Sequence, residues 1–242
     1  MVTSAPEFIP ALPRPKLLVF DLDGTLIDSS LDLAHAVNAA LAALGRPALP
    51  LAQIVGYVGN GAPMLMRRAL AGWNATPDPN PLASSEPPEL SAALAAFLDY
   101  YDQHLLDYTR PYPGVMATLA RLEPHYAMAV LTNKPLHHSK KILAGLGMER
   151  FFAAVYGGDS FATKKPDPEG LIALMRAHDA RPRETWMIGD SGVDIQTGRQ
   201  AGTVTCGVTY GLSPETLAAM PADYMLGDFA QLAELLPPLA AK

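Results

Sequence analysis

The chain has 242 residues, 49% apolar and 17% charged, the balance of a globular protein with a sizeable core in one or two domains. Its net charge of −6 argues against a nucleic-acid partner. The lone cysteine, Cys206, excludes an intramolecular disulfide and suits a reducing compartment.

Residues 1–15 read as an N-terminal tail. Four prolines and no long apolar stretch in Met1 to Lys16 argue against a signal peptide. No apolar run reaches membrane-spanning length, so a cytoplasmic protein with no membrane partner is expected.

Leu17 to Phe20 is an apolar run that ends in Asp21-Leu22-Asp23-Gly24-Thr25. Nothing polar interrupts it, so it reads as a strand buried on both faces. Asp21 and Asp23 are two apart and project to the same side of an extended chain. Carboxylates held that close resist joint ionisation, and a bound divalent cation is the simplest remedy. Asp21 is the candidate nucleophile for attack on phosphorus, and Asp23 the candidate general acid and base. An EF-hand loop is a poorer reading, because its glycine belongs at the sixth position and Gly24 is fourth.

A helix is predicted from Ser29 or Ser30, with Leu33, Val37, Leu41 and Leu44 on one stripe and Gly45 at its end. Leu51 to Val58 and Ala62 to Trp73 follow as helices, separated by Gly59-Asn60-Gly61. Thr76 to Pro88 is a proline-rich loop, and Glu89 to Tyr108 a long helix. Residues 32–110 thus form a helical module inserted after the first strand. From Pro111 onward helices alternate with strands at Tyr126 to Leu131, Ala153 to Tyr156, Thr185 to Ile188, Val204 to Val208 and Asp223 to Leu226. Alternation of this kind predicts an α/β fold with a Rossmann-like parallel sheet, residues 1–31 and 111–242 forming the core and 32–110 a cap. Ligands in such sheets bind beyond the C-terminal strand ends. The polar, glycine-bearing strand ends are Asp21 to Gly24, Thr132-Asn133-Lys134 and Gly189-Asp190-Ser191, all on that edge.

Phe20 to Asp28, Thr132, Lys165-Pro166-Asp167-Pro168 and Gly189-Asp190 with Asp194 resemble, in order, the four motifs of the haloacid dehalogenase superfamily of phosphatases. The resemblance covers nearly the whole chain from Lys16. It implies an aspartyl-phosphate at Asp21, proton transfer by Asp23, and phosphate held by Thr132 and Lys165. It also implies Mg2+ bound by Asp21, Asp23 (through its carbonyl) and Asp190. Asp194 would stand behind them, orienting Lys165 or a metal-bound water. Lys164 reads as an exposed neighbour. Substrate contacts are expected from Gly24, Thr25, Asn133 and Lys134.

Asp32 to Asn38 and Val58 to Gly61 with Arg67-Arg68-Ala69-Leu70 resemble the bacterial phosphoglycolate phosphatase branch, which converts 2-phosphoglycolate to glycolate and phosphate. On that likeness the Gly59-Asn60-Gly61 loop, through its backbone amides, and Arg68 are expected to read the substrate carboxylate. His137 and His138 read as surface residues, Trp73 and Trp186 as core, and Asp99, Asp102 and Asp107 with Arg110 as a solvated helix face and hinge.

Alternatives stay open. A dehalogenase lacks the acid at the position of Asp23, and a phosphonoacetaldehyde hydrolase needs a cap lysine, which residues 32–110 do not contain. A sugar-phosphate phosphatase or mutase, or a pyrophosphatase, would share every core residue. A regulatory binding protein on the same fold would be expected to have lost Asp21, Asp23, Lys165 or Asp190. The expected partner is a small phosphorylated metabolite; monomer and homodimer are equally compatible.

Overall fold

The structure is a computed structural model that describes residues 14–71 and 88–236. Trp73, the tail up to Pro13 and residues 76–87 of the proline-rich stretch lie outside the described residues.

The elements run β1 (Leu17–Phe20), β2 (Ile27–Asp28), α1 (Ser30–Ala43), α2 (Leu51–Val55), α3 (Ala62–Ala71), α4 (Leu90–Gln103), β3 (Arg110–Pro111) and α5 (Val115–Leu122). Then follow β4 (Ala127–Leu131), α6 (Leu136–Gly145), β5 (Ala154–Tyr156), α7 (Glu169–Ala177), β6 (Thr185–Gly189) and α8 (Gly192–Ala201). β7 (Val204–Val208), α9 (Pro214–Ala219), β8 (Tyr224–Leu226) and α10 (Gln231–Leu235) complete the chain.

Six strands form one parallel sheet in the order β5-β4-β1-β6-β7-β8. β1 lies between β4 and β6, so all four of its residues are buried, as its unbroken apolar run requires. Alternate residues serve opposite faces. Leu17 and Val19 pack with Leu171, Leu174 and Met187, while Leu18 and Phe20 join the larger cluster that includes Val37, Ile142 and Phe229. The ends of β4, β1 and β6 lie side by side, and these are the strands that end in Thr132, Asp21 and Asp190.

Helices α1 to α4 occupy the chain between β2 and β3, which pair antiparallel with Ile27 opposite Pro111 and Asp28 opposite Arg110. The two chain passages between sheet and helices are thereby tied together. Asp32, in the first turn of α1, adds a second tie. Its buried carboxylate accepts the Tyr108 and Thr109 N–H groups and the Thr109 hydroxyl, at 2.7–3.1 Å. Two expectations are corrected here. α2 stops at Val55 rather than Val58, and α4 at Gln103 rather than Tyr108, where the chain turns to present its N–H groups to Asp32.

Candidate active site

The site is assembled at the ends of β1, β4 and β6. Gly24 adopts φ +83°, and a Cβ there would overlap the Asp190 carboxylate; only glycine permits both the turn and that close approach. Asp21, Asp190 and Asp194 are all buried, each with one carboxylate oxygen within 4.8 Å of the others. Lys165, also buried, is the cation among them. Its Nζ donates to Asp194 Oδ1 at 2.6 Å and lies 2.9 Å from Asp21 Oδ1. Asp194 Oδ2 accepts the Ser191 N–H and hydroxyl, so this carboxylate both caps α8 and aims the lysine.

One ammonium does not balance three carboxylates. Burial, offset in part by Lys165 and reinforced by Asp194, pushes the Asp21 carboxyl up to about 6. Burial together with Asp194 and Asp21 raises Asp190 well above the ordinary carboxylate range. Burial opposes the charge on Lys165, but Asp194 and then Asp21 outweigh it and raise its pKa. The cluster has the oxygen ligands and the excess negative charge that a hard divalent cation requires. Asp194 already spends both oxygens on protein donors, which leaves Asp21 and Asp190 as the better side-chain ligands. The Asp23 side chain is not among the clustered carboxylates. It is held by Ser29 Oγ at 2.5 Å and by Lys134 Nζ at 2.8 and 2.9 Å.

A cavity of about 50 Å3 opens above Asp21, Asp23 and Thr132. Leu65, Phe97 and Tyr101 from the helical module face Lys134 and His138 from the sheet side across it. Besides Asp21 Oδ1, which faces Lys165, three buried polar atoms of its lining residues have no hydrogen-bond partner: Tyr101 Oη, His138 Nδ1 and Asn133 Oδ1.

Several sequence expectations change at this point. Gly59 and Asn60 present carbonyl oxygens to the sheet, accepting from Asn133 Nδ2 at 3.0 Å and from Lys164 Nζ at 2.9 Å. Gly59 and Gly61 line the cavity themselves. Arg68 is not among the cavity residues; its guanidinium donates to Tyr57 O and Asn60 Oδ1 and so braces the loop from behind. Asn133 spends its amide on Gly59 O and Lys165 O. Thr25 is fully buried with its hydroxyl unpaired, and it does not line the cavity. Lys164 is no bystander, since it bridges to the helical module. His138 is buried against Tyr101. Asp102 is not simply solvated: it meets Lys141, His137 and His138 of α6 at 3.1–3.5 Å. Asp32 begins a stretch that carries the family likeness, yet nothing there marked it as a tie between helices and sheet, and no motif marked Tyr101. Their only sequence signal is a polar group on an otherwise apolar helix stripe.

The family model for haloacid dehalogenase-like hydrolases matches residues 18–208, most of the chain. The chain is a haloacid dehalogenase-like hydrolase. This hydrolase is 38% identical over 223 residues to a phosphoglycolate phosphatase of Haemophilus influenzae, covering 91% of this chain and 98% of that protein. It is 40% identical over 224 residues to a phosphoglycolate phosphatase of Vibrio cholerae, covering 91% and 96%. A solved structure from Haemophilus somnus, described as a predicted phosphoglycolate phosphatase, superposes with a TM-score of 0.82 at 32% identity, over 93% of this chain and 99% of that one. Among the described residues no helix of this hydrolase is long and apolar enough to cross a membrane.

Proposed function

We propose that the chain is a Mg2+-dependent phosphomonoester hydrolase whose substrate is 2-phosphoglycolate. The observation that carries the proposal is the pairing of Asp21 with Lys165 at 2.9 Å at the floor of a small cavity shared with Asp23. Asp21 attacks phosphorus, forming an Asp21 oxygen–phosphorus bond as the ester oxygen–phosphorus bond breaks. Asp23 gives its proton to the departing alkoxide. In the second half Asp23 takes a proton from water as that water attacks phosphorus, and phosphate leaves Asp21. Lys165, aimed by Asp194, and the Thr132 hydroxyl at the end of β4 hold the charge that spreads over the phosphoryl oxygens. Bound through Asp21 and Asp190, Mg2+ would supply the positive charge that offsets nucleophile and phosphate together.

The cavity supports a small organic group. Its volume of about 50 Å3, beside Asp21 and Asp23, has room for a few atoms next to the phosphoryl group. The names of the relatives point to the same substrate. The test is kcat/KM with Mg2+ for 2-phosphoglycolate, hexose and pentose phosphates, and pyrophosphate. A clear preference for 2-phosphoglycolate is expected, and a preference for a sugar phosphate or pyrophosphate would refute the assignment.

A further inference from the structure

The 59–61 loop lines one side of the cavity with Gly59 and Gly61, its Gly59 and Asn60 carbonyls taken by Asn133 and Lys164, and Arg68 is engaged elsewhere. The far wall of the cavity has a different character. Lys134 donates to both oxygens of Asp23, and its ammonium also acts on the Tyr101 hydroxyl beside it. Lys134 Nζ lies 4.8 Å from the centre of the Tyr101 ring. The Tyr101 hydroxyl is almost wholly buried, and its O–H donates to nothing in the free protein. His138 packs edge-on to that ring at 5.5 Å between centroids, and its Nδ1 is likewise buried and unpaired. Burial and the nearby Lys134 hold His138 below its ordinary pKa, so the ring is neutral with a single N–H; Nε2 faces Asp102 at 3.5 Å, and the tautomer protonated on Nδ1 is the one that offers a donor to the cavity. Asn133 Oδ1, the third unpaired atom, is an acceptor and suits no anion.

Unsatisfied buried donors are costly, and a native structure keeps them where something else completes them. We propose that Lys134, Tyr101 and His138 form the subsite that binds the carboxylate end of the substrate and determine specificity for it. The geometry suits the molecule. In 2-phosphoglycolate the carboxylate is one methylene from the ester oxygen that Asp23 protonates, and Asp23 is in direct contact with Lys134. The inference rests on the proposed substrate.

The test compares 2-phosphoglycolate with ethyl phosphate, which has the same backbone length and no carboxylate, in wild type, Tyr101→Phe and His138→Leu. A hydrogen bond to a charged group is worth about 10- to 100-fold in binding. Each variant is therefore expected to lose roughly 10-fold or more in kcat/KM for 2-phosphoglycolate, mainly in KM, and about twofold or less for ethyl phosphate. Tyr101→Phe removes an O–H that donates to nothing in the free protein, so its Tm should change little. Equal losses on both substrates, or an unchanged ratio, would overturn the subsite while leaving the substrate standing. A wild type that prefers ethyl phosphate, or treats the two alike, would overturn the substrate assignment and the subsite with it.

Discussion

Asp21→Asn should stabilise the metal-free protein while destroying its activity. Burial raises the Asp21 carboxyl from 3.8 to about 6 in the folded state, despite Lys165 beside it. The difference is about 2 units, and each unit corresponds to about 1.4 kcal/mol, so ionising Asp21 costs the folded state about 3 kcal/mol near neutral pH. The sign follows from the direction. A carboxyl whose folded pKa is raised favours folding below its unfolded pKa, and loses that advantage as pH climbs through about 6. Asparagine mimics the neutral form at every pH. In a chelator at pH 7 the variant should therefore melt above wild type, by roughly 6–12 °C at about 2–4 °C per kcal/mol for a chain of this size. At pH 4 the gap should nearly close. Added Mg2+ should raise the wild-type Tm and leave the variant almost unmoved, because a ligand is gone. Differential scanning calorimetry reads all three. A variant less stable than wild type at pH 7 in chelator, or a gap indifferent to pH, would refute the reasoning.

Asp23→Asn removes the proton donor, so kcat for an alkyl ester should fall by about 10² to 10⁴. An aryl phosphate with a good leaving group should lose much less in single-turnover phosphoenzyme formation. Gly24→Ala puts a Cβ into the Asp190 carboxylate at a left-handed φ. Mg2+ titration followed by thermal shift should show affinity lowered by about tenfold or more, as displaced ligand geometry predicts. Asp32→Ala orphans the buried Thr109 donors that tie the helical module to the sheet. Urea denaturation should show a loss of roughly 2–5 kcal/mol.

The strand ends were legible because their chemistry is local. An apolar run broken by Asp21 and Asp23, or Ile188 followed by Gly189 and Asp190, marks strand, turn and acid within a few residues, and the parallel sheet brings those ends together. Partnerships across the chain were not legible. Nothing near Tyr108 says that its N–H belongs to Asp32, so α4 reads five residues too long. Glycines at 59 and 61 announce a loop but not that its carbonyls are taken by Asn133 and Lys164. Lys134 could not be read as the partner of Asp23, because that depends on β1 and β4 being neighbours in the sheet, nor His138 as buried, because that depends on Tyr101 of α4 packing against it. Trp186 was readable as core, and it is buried and stacked on Tyr224.

The central claim is that Asp21 carries the phosphoryl group. Its most direct test is acid quench of a single turnover of 2-phosphoglycolate with Mg2+, followed by peptide mapping by mass spectrometry. One phosphoryl group should appear transiently on the peptide that contains Asp21, at a rate matching glycolate release. Product formed with no phosphopeptide at any time resolved, or a phosphoryl group on another residue, would contradict it.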